Sequence, residues 1–254
     1  MIRVGTSGWT YRPWHGDFYP RGTRDDLAHL SRRLATVEVN ATFYGPRKES
    51  DYLRWHSTTP DDFVFALKAP REVTHNRRLR DASALVAEFL SSGISLLGNK
   101  LGPILWQLPA SLRYDPVLLA EFLPLLPAAN RHALEVRHSS YYNDQFIDQL
   151  TEHRVALVTS DSPGIWPCLS ASTSDFSYYR LHGDTELYTS RYTDEALDAW
   201  AAQIRTPPGD AYVYLDNTMA GAAPWDAMRL AGRLRDPYLP GDAQAPDAQA
   251  PDAQ

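Results

Sequence analysis

Eight strand-like runs separated by segments of helical spacing are the feature that most narrows the folds open to this chain. The runs are Ile2–Ser7, Thr36–Asn40, Phe63–Lys68, Pro103–Leu108, Ala133–Arg137, Val155–Ser160, Ser177–His182 and Ala211–Asn217. Between them, Arg24–Leu34 places Leu27, Leu30 and Leu34 at three-and-four spacing, the stripe of an amphipathic helix. Ser50–Thr58, Ala82–Gly93, Pro116–Leu126, Asn143–His153, Thr193–Ile204 and Pro224–Leu234 continue the helical series. Asp115 before Pro116 and Thr193 before Asp194-Glu195 are helix-start chemistry. This alternation predicts an α/β fold, a single-domain (β/α)8 TIM barrel over residues 1–236. An open doubly wound sheet is the weaker alternative. Gly5-Thr-Ser-Gly8 lacks the spacing of a dinucleotide-binding turn and runs into the bulky Trp9.

The remaining residues, 237–254, pass from Gly241 into a repeat of Ala, Pro, Asp and Gln with no large apolar side chain. Such a segment cannot bury enough surface to offset its ordering entropy, so disorder is expected. The net charge of −6 and pI of about 5.7 exclude a uniformly basic, nucleic-acid-coating surface. No apolar run is long enough to span a membrane, no secretory signal opens the chain, and Cys168 is the lone cysteine. A cytoplasmic protein is expected, with no membrane partner. Cys168 reads as a small buried apolar group.

In a barrel of this kind chemistry gathers where the strands end. The stretch Phe63–His75 shows the change most sharply. An apolar strand ends at Lys68, Pro70 stops the ladder, and Arg71, Thr74 and His75 follow. Elsewhere the strand ends carry Thr6, Ser7 and Trp9; Glu38, Asn40 and Tyr44; Gln107; Glu135 and Arg137; Arg180 and His182; Asp216 and Asn217. Glu38/Asn40, Glu135/Arg137 and Arg180/His182 are pairs two residues apart, so each pair shares a face of its strand. Polar groups from nearly every strand converge where a purely structural barrel would place Val, Ile and Leu, which points to a ligand-accepting mouth.

Three readings of that mouth compete. Mutual ion pairs would make it a structural plug. Glu38, Glu135, His182, Asp216 and the nearby His75 include the residue types that hold a divalent metal. Against this, no local ligand motif exists, and Lys68, Arg137 and Arg180 crowd the site with positive charge. No metal ligand is therefore assigned and no cofactor predicted, with a divalent metal kept as the less favoured alternative. The favoured reading is an anion site, in which Lys68, Arg71 and Arg180 supply charge, Thr6 and Ser7 supply hydroxyls, and aromatic residues supply an apolar wall. Arg77, Arg78 and Arg80 form a short basic run, ordinarily a solvated face, with contact to a nucleic acid as the less favoured alternative.

Gly5-Thr-Ser-Gly-Trp-x-Tyr11, Val37-Glu-Val-Asn-x-Thr-Phe-Tyr44, Phe65-Ala-Leu-Lys-Ala-Pro-Arg71 with Thr74-His75, Leu101-Gly-Pro-x-Leu-x-Gln-Leu-Pro-x-Ser111, Glu135-x-Arg-His138 and Arg180-Leu-His-Gly183 together resemble the YecE-like family, known as domain of unknown function 72. The resemblance covers about residues 2–235. It implies a TIM barrel in cytosolic bacterial and archaeal proteins, akin to the broader group containing xylose isomerase and endonuclease IV, and brings no settled activity. The matching family positions are Thr6, Glu38, Asn40, Lys68, His75, Gln107, Glu135, Arg137, Arg180 and His182. Two departures stand out. Ser139-Ser140-Tyr141 replaces a usual Pro-Trp continuation, and Asp216 stands where the family tends to carry asparagine, which weighs against Asp216 as a required metal ligand.

The expectation is an enzyme acting on a small polar, anionic or sugar-like substrate. Lys68, Arg137 and Arg180 hold and polarise it, and Glu38 or Glu135 with His182 moves protons. Isomerase, lyase and hydrolase chemistry stay open. The alternatives are a metal-dependent nucleic-acid-processing protein and a binding module without turnover.

Overall fold

The computed structural model describes residues 1–235. The 237–254 tail lies outside them. Eight parallel strands close into one barrel in sequence order: β1 (Ile2–Ser7), β2 (Thr36–Val39), β3 (Val64–Lys68), β4 (Leu101–Gln107), β5 (His132–Glu135), β6 (Ala156–Asp161), β7 (Phe176–Leu181) and β8 (Asp210–Leu215). β8 pairs back onto β1 through Ile2↔Ala211 to Thr6↔Leu215, so no sheet edge is left open.

Period-two alternation sorts every strand into two layers. Val37, Val39, Phe65, Leu67, Ile104, Trp106, Leu134, Leu157, Tyr179, Leu181, Val213 and Leu215 point outward into the main core, against the helices. Val64, Ala66, Leu105, Ala133, Ala156, Val158, Phe176, Tyr178, Tyr212 and Tyr214 point inward and fill the lower barrel. One step further up the same inward faces, the side chains become Ser7, Glu38, Lys68, Gln107, Glu135, Ser160, Arg180 and Asp216. The period that builds the apolar plug therefore also builds the polar layer above it.

The outer layer holds α1 (Asp26–Ser31), α2 (Ala41–Tyr44), α3 (Glu49–Thr58), α4 (Ser83–Ser91), α5 (Pro116–Phe122), α6 (Asp144–Glu152), α7 (Asp194–Arg205) and α8 (Ala223–Leu234). Asp115 caps α5 through the Val117 and Leu118 amides, and Thr193 caps α7 through that of Ala196. Each such cap contributes about 1 kcal/mol. α1 is shorter than the leucine spacing predicts, ending at Ser31, although Leu34 is still buried beyond it. Two short elements escape a reading based on periodicity. α2 is a single turn directly after β2, and a π-helical turn at Glu72–Asn76 follows Pro70. Both sit on the mouth. Cys168 is exposed rather than buried, because the loop after β6 carries it to the surface. Among the described residues no helix is long and apolar enough to cross a membrane.

Candidate functional site

Arg180 on β7 is the centre of the mouth, 1% exposed. Its Nε and Nη2 donate to Glu38 Oε2 and Oε1 at 3.0 and 2.9 Å, a two-pronged pair across the barrel from β7 to β2. Nη1 donates to Glu135 Oε2 at 2.7 Å and Nη2 to Asp216 Oδ2 at 2.8 Å. Ser7 and Tyr178 hydroxyls complete Glu38 at 2.8 and 2.7 Å, and Arg137 Nε completes Glu135 at 2.6 Å. Every carboxylate oxygen of Glu38 and Glu135 therefore accepts at least one hydrogen bond. Burial alone would raise the Glu135 carboxyl, but Arg137 and Arg180 hold it well below the usual range.

His182 is sealed into the same network. Arg180 Nη1 lies 2.9 Å from His182 Nε2, and a guanidinium can only donate, so Nε2 accepts. Nδ1 then carries the proton and donates to the Asp161 carbonyl at 2.7 Å. Burial and Arg180 push this imidazole well below its ordinary pKa, in keeping with a neutral ring. The expected role of Glu38, Glu135 and His182 as mobile proton carriers thus gives way to one of support, since all three are fully buried and already bonded.

Lys68, at the end of β3, is different. It is half-buried, and its Nζ makes no hydrogen bond or ion pair among the described residues, although three carboxylates share the mouth with it. Arg180 and Arg137 have already taken them. Nζ sits over the Phe43 ring, 4.4 Å from its centroid, and it is not sealed from solvent. Burial, then repulsion from Arg180, pulls the ammonium down to about 8, against the attraction of Glu38, Glu135 and Asp216.

Around this amine the rim is built from β5 and the loops. The Arg137 guanidinium stacks over Trp166 at 3.9 Å, and its Nη1 reaches Tyr188 Oη at 3.5 Å. Its Nη2 has no protein partner among the described residues. His75, on the π-helical turn, bonds Thr74 Oγ1 through Nδ1 at 2.9 Å and packs edge-on against Phe43. Burial, with Lys68, Arg137 and Arg71 as positive neighbours, pushes His75 down to about 4. On the β2 side Asn40 Nδ2 donates to Ser7 Oγ at 2.9 Å. The Ser7 proton is committed to Glu38, which fixes the amide's orientation and leaves Asn40 Oδ1 buried without a donor. Asp216 is 14% exposed, and burial pushes its carboxyl up.

Other candidates lie elsewhere. Thr6 points outward with Val4, and its hydroxyl donates to the Gly8 carbonyl, so it shapes the turn instead of lining the mouth. That turn needs glycine: Gly8 has φ +78, and a Cβ there would meet Tyr11 Oη at 2.8 Å. Asn217, one residue past the inward Asp216, faces the opposite way and donates to the Ser190 carbonyl and to Asp226 of α8. Thr6 and Asn217 are therefore corrected from ligand contacts to scaffold, for the same period-two reason. Gln107 faces inward but is spent on the Leu108 carbonyl. Trp9 packs edge-on against Trp55. Arg71 and Tyr44, the latter 73% exposed, line a cleft of about 470 Å³ beside the mouth, together with Phe43, Tyr52 and Phe89.

Among the described residues no three His, Cys, Asp or Glu side chains come together as a metal-binding group. Glu38, Glu135, Asp216 and His182 surround a guanidinium instead. Arg77 pairs with Glu72 and Arg78 with Ser111, so two arginines of the basic run are engaged within the chain. Tyr178, Trp166 and Tyr188 were not singled out from the sequence. Tyr178 was accessible to it, standing two residues before Arg180 on the same face, whereas Trp166 and Tyr188 reach the mouth on loops without periodicity.

Residues 3–250 match the family described as protein of unknown function DUF72. The UPF0759 protein YecE of Escherichia coli (strain K12) is 35% identical over 144 residues, 56% of this chain and 50% of that protein. The match thus spans about half the length of YecE. The UPF0759 protein YunF of Bacillus subtilis (strain 168) is 24% identical over 88% of this chain and 91% of its own. The crystal structure of a DUF72 family protein from Thermotoga maritima superposes with a TM-score of 0.83 at 25% identity, covering 92% of this chain and 99% of that one. One from Enterococcus faecalis gives 0.81 at 18% identity over 98% and 100%, a likeness of fold.

Proposed function

The chain belongs to the DUF72 family, whose description names no reaction, and on that premise we propose that it is an enzyme for a small anionic, polyhydroxylated substrate bound at the barrel mouth. The observation that carries this is Lys68, a cation without a carboxylate partner among the described residues, inside a mouth whose Arg137 and Arg180 are paired. Desolvated cations without a protein counter-ion are what an anionic ligand completes. Lys68 Nζ and the free Nη2 of Arg137 bind the acidic group. Arg137 is held for this by Glu135, Trp166 and Tyr188. Asn40 Oδ1, an acceptor lacking a donor, takes a substrate hydroxyl. Asp216, on the far wall, is the carboxyl group left to exchange a proton. The Arg180 network beneath keeps these groups rigid.

Calorimetric titration with gluconate, a polyhydroxylated acid, and with sorbitol, its neutral counterpart, tests the reading. Gluconate is expected to bind and sorbitol to bind far more weakly. Lys68→Ala should weaken gluconate at least about tenfold, the scale of one lost charge-assisted contact. Gluconate binding that is absent, or unchanged in Lys68→Ala, overturns the proposal.

A further inference from the structure

The chain has three lysines, Lys48, Lys68 and Lys100, among 25 basic Lys and Arg residues. Lys100 is buried and donates to the His56 and Thr59 carbonyls and the Thr59 hydroxyl, so it ties the end of α3 to the start of β4. Lys48 is an exposed residue at the start of α3. Lys68 shares the mouth with Arg137 and Arg180. Its neighbours show that holding charge there is work a guanidinium does well. A lysine offers something an arginine does not: a nitrogen that can lose its proton and attack.

We infer that Lys68 is the nucleophile of an imine-forming site, and that the substrate is a small aldehyde or ketone carrying an anionic group. This rests on the mouth binding an anion, and adds what the amine does next. The geometry has the required parts. Among the described residues no ion pair or hydrogen bond occupies the nitrogen, since Arg180 and Arg137 take the nearby carboxylates. Phe43 supplies an apolar floor under it at 4.4 Å, and Glu38 and Glu135 are already ion-paired to Arg180 and Arg137, which weakens their hold on the ammonium. The same surroundings bring the ammonium down to about 8. About a tenth of it is then the free amine at pH 7, against well under a thousandth for an ordinary lysine.

The step balances with groups in place. The Lys68 lone pair forms a C–N bond to the carbonyl carbon while the C=O pair moves to oxygen, giving a carbinolamine after proton transfer. Asp216, whose carboxyl is raised by burial and whose side chain is partly open to the mouth, takes the proton that the Lys68 ammonium gives up and returns it to the carbinolamine hydroxyl, which leaves as water. The product is a protonated imine on Lys68 facing the Asp216 carboxylate. Arg137 holds the substrate's anionic end, and His75, a neutral imidazole over Phe43, closes the β3 side without adding charge. A cationic imine acidifies the neighbouring C–H, which makes enolisation, isomerisation or C–C cleavage accessible from one intermediate.

The test uses the full chain at pH 7 with glyoxylate, a small anionic aldehyde, and cyanoborohydride to reduce any imine. Peptide mapping then reads N-carboxymethylation at each lysine, with the α-amine of Met1 as control for the reagents. Lys68 is expected to be modified at least about tenfold faster than the exposed Lys48, in line with its larger fraction of free amine. Excess gluconate should slow Lys68 without slowing Met1. Lys68→Arg, which keeps a cation, should retain gluconate binding while mouth labelling disappears. Wild-type protein that binds gluconate but modifies Lys68 no faster than Lys48 overturns the imine and leaves the anion site standing. Protein that does neither removes both.

Discussion

Arg180 and Lys68 are two cations of one barrel mouth, and their surroundings differ in every respect that matters. Arg180 is fully buried and donates to Glu38, Glu135, Asp216 and Ser7, with His182 as a further acceptor. Lys68 is half-buried, has an aromatic face below it and no ion-pair partner among the described residues. The guanidinium carries five donors in a rigid fork, so one arginine can gather three carboxylates, and a neighbouring lysine is then left over. The floor of the mouth is thereby a structural ion network, and the rim is where a ligand gains most. A polar barrel mouth is thus not uniformly a functional one: the paired layer stabilises, and the unpaired group above it is the one we propose to react.

The contrast breaks most visibly at Glu135. Glu135→Ala leaves Arg180 and Arg137 without their shared partner in a buried site, and a loss of about 3–5 kcal/mol is expected in denaturant unfolding at pH 7. A loss under about 1 kcal/mol would mean that the floor is not the support described. Lys68→Met should act in the opposite direction, because it removes a charge that has no counter-ion.

The sign for Lys68 follows from linkage. Its folded pKa, about 8, lies below the ordinary 10.5. Below pH 8 both states hold the proton and the folded protein bears the full cost of the half-buried cation. Between about 8 and 10.5 the unfolded state binds more protons, so this group makes stability rise with pH. Lys68→Met is therefore expected to be more stable than wild type at pH 7, by about 1–2 kcal/mol once the shift is discounted for partial exposure. The gain should shrink as the pH rises through that window. Equal pH profiles for the two proteins would show that Lys68 is an ordinary surface lysine.

The smallest effect sharpens the rim. Trp166→Leu removes the ring beneath Arg137, a contact worth about 0.5–1 kcal/mol. Gluconate affinity should fall about two- to fivefold while the unfolding midpoint moves little. An unchanged affinity would place the anion on Lys68 alone.

Much of this architecture is legible in the sequence, because it rests on short-range rules. The alternation of strand and helix runs gives the barrel, and period two gives the inward set Ser7, Glu38, Lys68, Glu135, Arg180 and Asp216. The same rule, applied one residue off, exposes Thr6 and Asn217 as outward scaffold. The α2 turn and the π-helical turn after Pro70 stayed hidden, since neither has the length to show a period. They carry Phe43 and His75, which the sequence offers as candidates but whose packing against each other it cannot place.

What the sequence determined by itself was therefore the barrel, the two-residue period of its strands, and the charge balance of the mouth. What only the tertiary structure decided was who pairs with whom. Glu38, Glu135 and Arg180 are separated by 97 and 45 residues along the chain, and no spacing rule ranks Arg180 above Lys68 as their partner. Pairing depends on distances of about 3 Å between side-chain tips, set by strand register and by the reach of a guanidinium from β7. Those distances leave Lys68 without an anion and make it the reactive group of the proposed site.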